Sequence, residues 1–206
     1  MKGKPAGAFI TALATVALVF VPATAQAHLV STGIGPVYDG IAHLFVSVED
    51  LLPVLAIGLL AGLNGAPAGR WLLFCLPLAW LAGGVAGVVM PAALPAFSPA
   101  MLSMLVIGIL TAVDFRLPPR AVGALAVGLG LIHGWQNGAA IQAAGLQATG
   151  LVGTAVAVFV FVALVAALVV ALRRPWTRIV VRAAGSWVAA TGLLMMGWTL
   201  SGRALA

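Results

Sequence analysis

The chain has 206 residues, 63% of them hydrophobic and 7% charged. A soluble domain carries roughly 25% charged residues, so a water-soluble fold is excluded. The net charge is +6, but the arginines are scattered between apolar runs and form no basic or aromatic-basic patch of the kind that binds nucleic acid.

Each membrane-spanning helix needs about 20 mostly apolar residues. This length therefore predicts one all-α, polytopic bundle of about six helices. Cys75 is the only cysteine; it pairs with no partner in the chain and reads as a small buried hydrophobe.

At the start, Lys2 and Lys4 precede an apolar stretch from Ala8 to Val21. Pro22 then breaks the run, and Ala25-Gln26-Ala27 offers the small residues that a signal peptidase reads. Residues 1–27 are thus expected to be a signal peptide, with His28 as the new N-terminus. There its α-amine and Nδ1 can chelate a metal together. If cleavage falls elsewhere, His28 is a polar linker residue.

Residues 28–50 form the next expected unit, a periplasmic segment that binds metal. Gly33, Gly35 and Pro36 impose turns before Tyr38. A helical turn beginning at Asp39 places its carboxylate and His43 on one face at i, i+4, a separation at which two side chains grip one ion. The alternative is that Asp39 caps the helix and His43 faces water. Ser47, Glu49 and Asp50 read as a helix start, with the acids against the positive end of the dipole. Glu49 and Asp50 are either capping residues or partners that orient metal ligands.

Residues 51–206 are expected to form the bundle itself, with apolar runs at Leu51–Leu63, Trp71–Val89, Ala100–Val113, Ala121–Trp135, Leu151–Leu172 and Ile179–Leu200. With an exported N-terminus, Arg70, Arg116, Arg120, Arg173, Arg174, Arg178 and Arg182 all fall on the cytoplasmic side, as the positive-inside rule requires. Both mature termini then face the periplasm across a bacterial inner membrane. Glycines four apart (Gly58 and Gly62; Gly83 and Gly87; Gly130, Gly134 and Gly138) read as helix-packing positions where lipid supplies no hydrophobic drive.

This orientation gathers His28, Asp39, His43, Glu49, Asp50 and His133 in the periplasmic half. His133 lies inside an apolar span, where a polar side chain normally faces the bundle interior and is a functional candidate. Gln136 and Asn137 follow at i+3 and i+4, completing one polar strip. A structural hydrogen bond between helices is the competing reading.

Gly35 to His43, running into Glu49-Asp50-Leu51-Leu52-Pro53-Val54-Leu55-Ala56 and the helix Gly58–Gly62, resembles the hydrogenase/urease accessory membrane proteins of the HupE/UreJ type. Gly128-Leu129-Gly130-Leu131-Ile132-His133-Gly134 is a second anchor. The resemblance implies a nickel permease or metal-handling accessory protein, with His28, Asp39, His43 and His133 as the metal residues and with metalloenzyme maturation proteins as partners.

One departure marks a divergent branch: better-known members carry a compact His-Pro-x-x-Gly-x-Asp-His string. Here His28 is distant from Asp39, and three residues separate Asp39 from His43. Imidazole ligands also suit copper, zinc and cobalt. Two other readings are a membrane-embedded, metal-dependent hydrolase and a structural subunit that binds no metal.

Overall fold

The computed structural model describes residues 31–90, 99–172 and 175–204. The expected signal peptide 1–27 and His28 lie outside the described residues. Within them the chain is helical throughout, as expected for a membrane bundle. The helices are α1 (Pro36–Val46), α2 (Val48–Leu63), α3 (Ala66–Val89), α4 (Pro99–Ala112), α5 (Pro119–Ala143), α6 (Gly150–Ala171) and α7 (Pro175–Ala204). Prolines stand in the first turns of α1, α3 and α5, where a missing N–H costs no helical bond.

Three segments are long and apolar enough to cross a membrane: α3, α6 and Trp176–Ser201 of α7. Helices α1 and α2 meet that test only together, and they are bent by 73° at their junction. Helix α4 is a shorter apolar helix. Helix α5 continues past Trp135 to Ala143, beyond the apolar run of the sequence, because buried Asn137 faces the interior and does not end a helix.

Glycine contacts fix the closest approaches. A Cβ on Gly130, Gly134 or Gly138 of α5 would run into the backbone carbonyls of Leu76, Trp80 and Gly84 on α3. In return, Gly83 and Gly87 of α3 abut the carbonyls of Leu131 and Trp135. Two helices with side chains at these positions could not approach so closely. Gly58 and Gly62 of α2 face Val165 and Val169 of α6, while Gly40 of α1 and Gly153 of α6 seat α1 on α6.

Inside lie Leu44, Ile57, Leu60, Leu72, Leu76, Trp80, Met104 and Val158, all fully buried. The outside is equally apolar: Phe74, Leu78, Leu164, Leu168, Leu194 and Trp198 are all more than half exposed. An apolar surface around an apolar core suits lipid as the solvent.

The bundle has two polar ends. At one, Asn64 donates to the carbonyls of Leu60 and Phe115 and accepts from the Leu117 amide. Arg116 and Arg182 donate to the carbonyls of Leu63 and Ala112. Arg178 forks onto both carboxylate oxygens of Asp114, which sits in a turn at φ 55°. The other end carries the histidines.

Candidate functional site

The bend at Ser47 is what builds the site. It turns His43, near the end of α1, toward Asp50, in the first turn of α2. Asp50 forms no capping bond there. Its carboxylate is buried and bridges two histidines: Oδ1 accepts from His133 Nδ1 at 2.8 Å, and Oδ2 lies 3.2 Å from His43 Nε2. His43 Nε2 also lies 3.1 Å from Asn137 Oδ1.

His133, fully buried on α5, has its second nitrogen 2.9 Å from Ser103 Oγ of α4. Ser103 in turn donates to the Ala100 carbonyl at 2.7 Å. The Trp80 indole stacks on the His133 ring, with centroids 5.4 Å apart and planes at 30°. The chain Asn137–His43–Asp50–His133–Ser103 thus links α1, α2, α4 and α5. A carboxylate only accepts and a neutral imidazole always carries one N–H, so Asp50 is the group that can hold both rings in place.

Beside His43 lies a cavity of about 180 Å³, lined by Asp39, Gly40, His43, Asn137, Gln147 and Thr154 among others. Its walls come from α1, α5, α6 and the turn joining α5 to α6. Thr154 Oγ1 donates to the Gly40 carbonyl at 2.9 Å, tying α1 to α6. Asp39 accepts from the amide and hydroxyl of Thr32, at 2.5 and 2.7 Å. These bonds fix a carboxylate at the cavity's edge.

The residues singled out by sequence therefore separate into layers. Asp39 and His43 line the same cavity, but His43 turns its Nε2 inward to Asp50 and Asn137. His133 lies behind Asp50, away from the cavity lining. Glu49 and Gln136 are half-buried, and Gln136 has an interaction of its own. Among the described residues, no three His, Cys, Asp or Glu side chains converge as a set that could hold an ion.

Ser103, Trp80 and Thr154 complete the arrangement and were not singled out by sequence. Ser103 left one faint signal, a lone hydroxyl within the apolar run Met101–Leu110. Threonine and tryptophan in apolar runs are too common to stand out.

A family model described as "HupE / UreJ protein" matches residues 16–195. No curated protein and no solved structure matches this chain.

Proposed function

The chain belongs to the HupE / UreJ family, and on that premise we propose that it captures a divalent metal ion, nickel foremost, at the histidine end of the bundle and passes it into or across the membrane. The family is associated with nickel or cobalt transport, or with accessory functions for hydrogenase and urease. The observation that carries the reading is the Asp50 carboxylate buried between two histidines, directly behind a cavity edged by Asp39 and His43. Ionisable groups at this depth are expensive to keep and mark ion pathways.

Asp39 and His43 are the capturing groups in this proposal, joined by His28 where signal cleavage frees it. Asp50 holds His43 and His133 in register, and the two rings offer imidazole donors to an incoming ion at successive depths. Glu49, Gln136 and Asn137 support them. The arginines at the opposite end favour a cytoplasmic location for that end, and in this proposal the histidine end faces the periplasm of an inner-membrane protein. Metalloenzyme maturation proteins are the expected recipients. Copper, zinc and cobalt fit the same donors, so geometry has to supply the selectivity.

Metal affinity of the full-length protein in detergent tests the proposal, measured for nickel and cobalt beside His43→Ala, Asp39→Ala and His133→Ala, followed by flux into liposomes. Tight binding lost in the His43 variant, with metal-specific flux, is the expected result. No binding by the unaltered protein would overturn it.

A further inference from the structure

The chain holds only four acidic residues. Asp39, Glu49 and Asp50 lie at the histidine end, and Asp114 is taken by Arg178. Of the arginines at the other end, Arg116 and Arg182 donate to backbone carbonyls. Arg70 of α3 and Arg120 of α5 are exposed and have no partner among the described residues. The first turns of α3 and α5 carry no acid either, so the counter-charge for both guanidinium groups comes from outside the chain.

Arg70 stands at the mouth of a hollow of about 340 Å³ whose other walls are Pro67, Trp71, Phe74 and Cys75. These positions fall on one face of α3. The Trp71 ring lies against α5, where a Cβ on Gly123 would meet it, and Phe74 leans toward Phe159 of α6, with centroids 6.4 Å apart. Different helices thus hold the two rings, and the hollow lies between them. Arg120 is one turn before Gly123, so α5 brings a second free charge to the same boundary. From Pro67 to Cys75 is about 12 Å along the helix, most of the ~15 Å depth of hydrocarbon in one leaflet.

An occupant suited to this place is apolar along its length and negative at its end. A free phosphate would leave the rings uncovered, and a phosphatidylcholine carries a cation of its own. A guanidinium grips a phosphate through two parallel N–H bonds, and basic pockets between membrane helices hold acidic headgroups. We infer that the hollow binds one anionic phospholipid, with its phosphate on Arg70 and an acyl chain laid between Trp71 and Phe74. This inference does not rest on the metal-handling reading.

Native mass spectrometry tests it on the full-length protein, delipidated in neutral detergent and given phosphatidylglycerol or phosphatidylcholine with identical chains. One phosphatidylglycerol is expected to be held at least tenfold more tightly than phosphatidylcholine. Arg70→Gln should abolish that preference. Arg182→Gln removes the same charge outside the hollow and should keep it. Cys75 lines the hollow and is the only cysteine, so alkylation of its thiol reads occupancy without any variant. Saturating phosphatidylglycerol should slow it at least threefold relative to phosphatidylcholine.

Equal retention of the two lipids, or equal alkylation in both, would overturn the inference. A preference intact in Arg70→Gln would place the lipid elsewhere, and a preference lost equally in Arg182→Gln would reduce it to overall charge; either result also overturns it. A protein dimer that carries no lipid would assign the hollow to a second copy of the chain, with the same consequence.

Discussion

The two polar ends of the bundle solve the same problem in opposite ways. At the arginine end, Asn64, Arg116 and Arg182 are bonded to backbone carbonyls left over at helix ends and turns, and Asp114 takes a forked guanidinium. The pocket beside Arg178 is only about 20 Å³, and the larger hollow of about 340 Å³ beside Arg70 is a shallow, mostly apolar one between Pro67, Trp71, Phe74 and Cys75. At the histidine end, side chains bond to side chains, a carboxylate is buried between two imidazoles, and a cavity of about 180 Å³ lies beside His43. Saturating carbonyls closes a helix end, whereas a buried side-chain network beside a cavity keeps side-chain donors and acceptors near a space that a ligand can enter.

If that contrast is real, the largest response should come from the group with most depending on it. Asp50→Ala leaves two imidazoles without their acceptor in an apolar core, and losing one partner of a buried pair costs about 3–5 kcal/mol. The expected result is a marked fall of Tm in detergent together with loss of metal binding. An unchanged Tm would mean that the histidine end is no network.

A smaller effect is expected from Gly138→Ala, whose new methyl would meet the Gly84 carbonyl. Overpacking of this kind costs about 1–3 kcal/mol. It should lower Tm and, by parting α3 from α5 near Asn137, also weaken metal binding. Gly62→Ala at the arginine end chiefly meets the Val169 side chain; it should lower Tm alone.

The smallest effect belongs to Asp114→Asn, because Arg178 is 38% exposed and Asp114 18% exposed. A pair so open to solvent is worth at most about 1 kcal/mol. Metal affinity should stay at the unaltered value, and a change in it would break the division between the ends.

Much of this was legible beforehand. Gly130, Gly134 and Gly138 marked a packing face because spacing of four puts residues on one side of a helix; that α3 is what packs there is seen only in the structure. The i, i+4 spacing of Asp39 and His43 marked a helix, now α1, on the same local ground. Asp50 was harder to place: beside Glu49 and after Ser47 it reads as a capping acid, and nothing near it in sequence says otherwise. His43 and Asn137 are 94 residues apart, a separation at which periodicity carries no information.

The sequence by itself determined the solvent, the helices and the faces that pack, because hydropathy, period and glycine spacing are local properties of a chain in lipid. Only the tertiary structure decided that Asp50 meets His43 and His133, the latter 83 residues away. That meeting depends on the 73° bend between α1 and α2 and on the depth at which α5 lies against α3. Both are set by glycines and carbonyls on helices distant in the chain, so neither can be read from any one segment.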